Sequence, residues 1–176
     1  MRQTCLIGYL ILSVTSLAGT GVSLQIVQGR PIVDGIYVNG HGPCRFLVDT
    51  GAQSNHSDVQ VARRFGLLAM FRVHLDTIAG TELAPGMAQA RVRLGETEVQ
   101  STEVLFTKLN AVRELSDDIQ GVLGQAFLAQ FDYLLDMRGR RMVFGAPEPA
   151  GIKAAFDMQT KRPGCGYFRT TLQEAG

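Results

Sequence analysis

Residues 46–52 read F-L-V-D-T-G-A, an apolar run that leads directly into Asp49, Thr50 and Gly51. The apolar residues predict a buried strand, and the glycine predicts a tight turn at the end of that strand. A carboxylate in such a place is costly to bury unless it is paired or protonated. By itself the pattern fits a functional acid at Asp49 and an ordinary Asp-x-Gly turn equally well.

Length and charge narrow the class of protein. The chain has 176 residues and a formal net charge of +1. This length suits one domain with a sizeable core. The balanced charge gives no electrostatic reason to expect nucleic acid or an anionic surface as a partner. His41, His56 and His74 are dispersed, and the chain has no Cys/His cluster with zinc spacing, so we expect no metal site.

The N-terminal segment has the layout of a secretory signal peptide, with a basic start, an apolar stretch over residues 5–18 and small residues after it. Cleavage fits after Ala18 or after Ser23. The apolar run is shorter than the about 20 residues that span a bilayer, so we favour cleavage over an uncleaved membrane anchor or a buried helix. We expect a signal peptide or anchor over 1–23, the main domain over 24–145 and a C-terminal extension over 146–176.

This layout predicts an exported protein, periplasmic or extracellular, or a membrane-anchored one if the segment stays in place. Cleavage would remove Cys5 and leave Cys44 and Cys165, an even pair in an oxidising compartment. A disulfide between them would tie the tail to the strand before Asp49. Two unrelated thiols are the equally favoured alternative.

The rest of the chain reads mostly as strands. Asn39-Gly40 predicts a turn within 39–43, between strands at 31–38 and 44–48. A helix is predicted over 57–65, with Ser57 as its cap. Asn55-His56-Ser57 fits a glycosylation sequon, which we interpret instead as part of that cap. Further predicted elements are strands at 71–78, 87–94 and 99–106, a loop at 79–86, a loop or short helix over 107–120, a short helix over 125–130, and a hairpin from 131–137 and 141–144.

Three features in order resemble the retropepsin-like (retroviral-type) aspartic proteases, in their single-domain bacterial-style branch. They are the turn Asp49-Thr50-Gly51-Ala52, the apolar-apolar-Gly element Val122-Leu123-Gly124 before a short helix, and the strand, Gly/Pro loop and strand over 71–94. Asp-Thr-Gly alone is a weak signal, whereas the three together are fairly specific. The resemblance covers residues 32–144.

The resemblance implies a mainly β, closed barrel-like fold with one or two short helices. It also implies a homodimer that hydrolyses an extended peptide or protein substrate without a cofactor. It carries Asp49 over as the catalytic residue, with Thr50, Gly51 and Ala52 as the active-site turn. The supporting element is Val122, Leu123 and Gly124, and the expected flap tip is Ile78, Ala79 and Gly80.

Two facing carboxylates would share one proton, because both cannot ionise at such close range. The motif occurs once in the chain, so the second Asp49 is expected from a second copy. A catalytically silent peptide-binding or dimerisation module of the same fold is the alternative.

Overall fold

The computed structural model describes residues 20–77, 80–145, 155–162 and 165–171. The expected signal segment, up to residue 19, lies outside them. The strands are β1 (Thr20–Val27), β2 (Arg30–Val38), β3 (His41–Val48), β4 (Asn55–Asp58), β5 (Phe71–Thr77), β6 (Gly80–Leu94), β7 (Thr97–Thr107), β8 (Gly121–Leu123), β9 (Tyr133–Asp136), β10 (Arg141–Phe144), β11 (Ala155–Arg162) and β12 (Cys165–Thr171). The helices of these ranges are α1 (Val59–Arg64), α2 (Asn110–Arg113) and α3 (Gln125–Leu128).

Ten of the described strands form one sheet, and six of them, from β6 to β2 in the strand order, close into a ring. Their order is β5-β6-β7-β4-β8-β3-β2-β1-β10-β9, and an additional pairing of β6 with β2 joins the two sides. Closure satisfies the backbone of the ring strands without leaving an edge between β6 and β2. The expected mainly β, barrel-like fold class is confirmed. β11 and β12 form a separate two-stranded sheet.

The β2–β3 hairpin turns at Asn39 and Gly40, as the sequence predicts. Both residues have positive φ, 50° and 82°, which suits a two-residue turn of the primed type. Val38 therefore pairs with His41 directly across the turn. The predicted turn was too long at its C-terminal end, because the return strand already begins at His41 rather than Cys44.

The predicted helix start at Ser57 is wrong. Residues 55–58 form β4, a strand inserted between β7 and β8. Helix α1 begins after it, and its cap is Asp58, whose Oδ1 accepts a hydrogen bond of 2.8 Å from the Gln60 N–H. Ser57 is buried within the strand instead. Pairing on both sides overrides the low strand propensity of these polar residues.

The predicted loop over 79–86 is also wrong, because residues 80–86 belong to β6 and pair with β5 from Phe71↔Gly86 to Thr77↔Gly80. Pro85 fits because the β6–β7 ladder starts only at Gly86, so the missing N–H of proline breaks no bond to β7. A register shift then leaves Ala88 exposed, although its period-two position with Ala90 and Val92 predicts burial, while Met87 is buried.

The buried apolar side chains form two clusters. The larger fills the ring and includes Phe46, Val48 and Phe127. The smaller lies on the other face of the sheet, and it consists of Ile32, Leu47, Leu109, Ile119 and Val122. We call the second group the outer cluster. It matters for function because Ala52, from the turn that carries Asp49, packs against it.

Helix α2 and the segment after it cover the outer cluster. The Arg113 guanidinium lies 3.0 Å from the carboxylate of Asp58, which is only 2% exposed. The Asp58 N–H also donates to the Gln120 carbonyl, at 2.8 Å. These contacts tie the α2 segment to the start of α1 and thereby fix one wall beside the outer cluster.

Candidate active site

Asp49 follows directly after β3 and is half-buried. Its N–H donates to the Leu123 carbonyl at 3.0 Å. β3 and β8 are parallel neighbours, with Leu47 opposite Val122 and Val48 opposite Leu123. The structure therefore brings together the two sequence motifs singled out above, and Val122-Leu123 lies next to the strand end that presents Asp49.

The turn after Asp49 holds its carboxylate by a backbone contact. The Gly51 N–H donates to Asp49 Oδ1 at 2.9 Å, and the Ala52 N–H donates to the Asp49 carbonyl at 3.3 Å. Gly51 is exposed, whereas Thr50 and Ala52 are half-buried. A hydrogen bond to one carboxylate oxygen fixes the rotamer and leaves the second oxygen for other partners.

Residues at the start of α3 brace the same turn from below. The Gln125 N–H donates to the Ala52 carbonyl at 2.8 Å, and the Gln125 side-chain amide donates to the Thr50 carbonyl at 2.7 Å. Gly124 is required here, because a Cβ at this position would overlap the carbonyl oxygens of Ser54 and Ala52. This supplies a physical role for Gly124 within the supporting element.

Asn55 connects the turn region to β7, a role that sequence reasoning missed. Its side chain is fully buried, and its Oδ1 accepts from the Gly124 N–H at 3.1 Å. Its Nδ2 donates to the Thr102 hydroxyl at 3.3 Å and to the Glu103 carbonyl at 3.0 Å. The Thr102 hydroxyl in turn donates to the Ala126 carbonyl at 2.9 Å. A buried amide bonded in this way is not a surface acceptor for glycans.

The β5–β6 hairpin spans the stretch in which the sequence predicts a flap. Register pairs put Leu75 and Glu82 on the same face as Phe71, while His74 and Leu83 lie on the opposite face. We call the face with Phe71 the inner face. Of the expected flap tip, Ile78 and Ala79 lie outside the described residues, and Gly80 pairs with Thr77 at the end of the hairpin. The assignment of the tip stays a prediction.

His56 is a second residue near Asp49 that sequence reasoning did not assign to the site. It lies on β4 and is half-buried, with its Nδ1 3.3 Å from the Thr107 hydroxyl oxygen. Burial lowers the pKa of the His56 ring, and the carboxylates of Glu103, Asp49 and Glu82 oppose that shift. These carboxylates come from β7, the turn and the hairpin, so three elements converge on His56.

Cys44 is buried within β3 and forms no disulfide with another described side chain. Burial raises the pKa of this thiol, and the Arg64 charge opposes the shift. The side chain of Cys165 lies outside what the structure describes. A disulfide between Cys44 and Cys165 therefore stays a prediction.

Residues 35–127 match the family model described as "Aspartyl protease". This match spans more than half of the chain, and the chain belongs to that family. The structure is similar to a solved retropepsin-like aspartic protease from Rickettsia conorii, with a TM-score of 0.52 and 18% sequence identity, over 71% of this chain and 88% of that one. No curated protein matches. The expected resemblance to retropepsin-like aspartic proteases is confirmed, and the likeness to the solved structure establishes the fold.

Proposed function

We propose that the protein is an aspartic endopeptidase that acts as a homodimer, with one Asp49 carboxylate from each subunit. The observation that carries this proposal is the setting of Asp49 in a chain of the aspartyl protease family. Asp49 is half-buried, its carboxylate is oriented by the Gly51 N–H, and the turn that follows it is braced by α3. One Asp-Thr-Gly per chain supplies half of the carboxylate pair that the chemistry needs.

Two Asp49 carboxylates at close range would share one proton, because both cannot ionise there. The ionised member takes a proton from a water molecule, which attacks the peptide carbonyl. The protonated member donates a hydrogen bond to that carbonyl, and a proton then passes to the departing amine. The Thr50 hydroxyl would form a hydrogen bond to the backbone of the other subunit, which keeps the two turns in register.

The inner face of the β5–β6 hairpin would cover an extended substrate. Closure over the substrate excludes water from the reacting bond and strengthens electrostatic interactions there. A flap of this kind positions the peptide between itself and the two turns. Each subunit would then contribute one turn and one hairpin to the site.

The proposed setting is outside the cytoplasm. Cleavage after Ala18 would leave all of β1 intact, since β1 begins at Thr20 and pairs with β10 from there. Retention of the N-terminal segment would tether the enzyme to a membrane. In the described part of the chain, every helix is too short or too polar to cross a bilayer.

The decisive variant is Asp49→Asn, which keeps the shape of the side chain and removes its charge. We expect the parent to cleave a denatured protein and the variant to lose detectable cleavage while keeping its circular dichroism spectrum. Asp117→Asn is the matched control, because Asp117 is exposed and lies outside the turn. Cleavage by Asp49→Asn at the parental rate would contradict the proposal.

Assembly is tested separately by sedimentation over a concentration range. Specific activity should rise with the dimer fraction, because a monomer holds one carboxylate only. Full activity in a sample that sediments as a monomer would exclude the two-subunit site.

A silent peptide-binding module is the second candidate. The observation that favours it is the position of β5 at the end of the strand order, where an extended peptide can add as a further strand. A statine-type transition-state mimic separates the two functions. An active carboxylate pair should bind the mimic far more tightly than the matching substrate peptide, whereas a module should bind both equally.

A further inference from the structure

One row of residues crosses the sheet and ends at the base of the β5–β6 hairpin. Successive register partners occupy six adjacent strands, in the spatial order β3-β8-β4-β7-β6-β5. The row consists of Leu47, Val122, His56, Leu105, Gly86 and Phe71. Register partners project from the same face of a sheet. His56 is thus the ionisable member of an otherwise apolar row.

This row lies on the face that carries the candidate site. Leu47 and Val122 belong to the outer cluster, against which Ala52 of the Asp49 turn packs. At the other end of the row, Phe71 is the first residue of β5 on the inner face of the hairpin. Glu82 lies on the same face, nearer the tip of the hairpin, opposite Leu75. His56 is therefore placed between the turn and the hairpin.

Carboxylates of three elements act electrostatically on the His56 ring. Glu103 lies two residues before Leu105 on β7 and therefore projects from the same face. Its Oε1 accepts a hydrogen bond of 2.5 Å from the Ser54 hydroxyl, so it is fixed beside the active-site turn. Glu82 acts electrostatically on the same histidine. The groups facing His56 are thus Glu103 from β7, Asp49 from the turn, Glu82 from β6 and the neutral hydroxyl of Thr107.

We propose that His56, Glu103 and Glu82 form a specificity subsite beside Asp49 that takes a basic side chain of the substrate. The proposal rests on the proposed peptidase function. Beyond the catalytic carboxylate, the subsite contains the carboxylates of Glu103 and Glu82. A lysine or arginine side chain can place its stem on the apolar row and its charge between the two glutamates. Among the described residues, the His56 ring has Thr107 as its hydrogen-bond partner, so Nε2 remains for the substrate.

The test compares peptides that differ only in lysine or norleucine, placed in turn at each position around the scissile bond. At weakly acidic pH, we expect kcat/KM to favour lysine at one position. Glu103→Gln and Glu82→Gln should each reduce the lysine-to-norleucine ratio by about twofold to fivefold, as for a partly exposed ion pair. Glu96→Gln is the control, because Glu96 is exposed in the β6–β7 turn. A ratio of one or below at every position, or a ratio that both variants leave unchanged, would overturn the subsite.

Binding to the Asp49→Asn variant of the full chain separates this proposal from the peptidase proposal. NMR signals of the His56 ring should shift with the lysine peptide at lower concentration than with the norleucine peptide. Cleavage without any lysine preference would overturn the subsite alone. Absence of cleavage by the parent, together with lysine-selective shifts at His56, would overturn the peptidase proposal alone. Equal shifts with both peptides would count against the subsite, whatever the activity.

Discussion

The turn that carries Asp49 is held by β8, α3 and the side chain of Asn55, whereas the outer part of the β5–β6 hairpin is held by pairing between its own two strands. Described contacts of the turn reach Leu123, Gln125 and, through Gly124, Asn55. From Gly80 to Pro85, the described pairings of β6 are with β5 alone. Regions with few partners open at lower free energy than regions bonded on several sides. The Asp49 turn is therefore a preorganised region, and the outer part of the β5–β6 hairpin is a separate region that can open and close over a substrate.

Gly124→Ala should have the largest effect on the support of the Asp49 turn. The added Cβ would overlap two backbone oxygens, which cannot move without displacing the turn. We expect a loss of about 3 kcal/mol in the free energy of unfolding and loss of cleavage activity. Gly21→Ala is the control, since a Cβ there meets its nearest atoms at 3.9 Å. Denaturant unfolding and a peptide cleavage assay measure both effects. Parental stability in Gly124→Ala would show that the turn yields easily.

Asn55→Ala should have the next largest effect. The change removes the acceptor of the buried Gly124 N–H and the amide that donates to the Thr102 hydroxyl oxygen and the Glu103 carbonyl. Leaving such groups unpaired costs about 1–3 kcal/mol. Activity should fall along with stability, because the same bonds support the turn. Asn110→Ala, at an exposed position, should change neither quantity measurably. Equal unfolding midpoints for Asn55→Ala and the parent would remove Asn55 from the support of the turn.

Changes in the hairpin should separate substrate handling from stability. Val73 lies on the inner face and is half-buried, whereas His74 is exposed on the opposite face of the same strand. Val73→Ala removes apolar contact with a bound peptide, so we expect KM to rise several-fold. The free energy of unfolding should fall by about 1 kcal/mol or less, because the site is only partly buried. His74→Ala should leave KM unchanged. A large loss of stability with unchanged KM would assign Val73 to the core instead.

The contrast also explains what the sequence could predict. The motifs Asp49-Thr50-Gly51 and Val122-Leu123-Gly124 stand out because each consists of three consecutive residues that can be recognised without knowing the fold. The strand at Asn55 and Ser57 escaped prediction, since its hydrogen bonds and burial come from β7 and β8, far away in the chain. Residues 80–86 looked like a loop because Pro85 and Gly86 usually end strands, and only the position of the β6–β7 ladder makes them compatible with pairing. His56 could not be assigned, because its surroundings are made by three separate elements.

The smallest expected effect concerns pH and stability at His56. Burial holds its pKa below the usual histidine value in the folded chain, and Glu103, Asp49 and Glu82 offset part of that shift. The unfolded chain therefore binds a proton at this residue more readily than the folded chain, so stability falls as pH drops below about 6.5, the ordinary histidine pKa, towards the folded value. His56→Gln should flatten this part of the stability curve, while His74→Gln, at an exposed site, should not. Unfolding by denaturant across a pH series measures the slope. An unchanged slope in His56→Gln would mean that His56 is solvated in the folded chain and that the β5–β6 hairpin does not cover it.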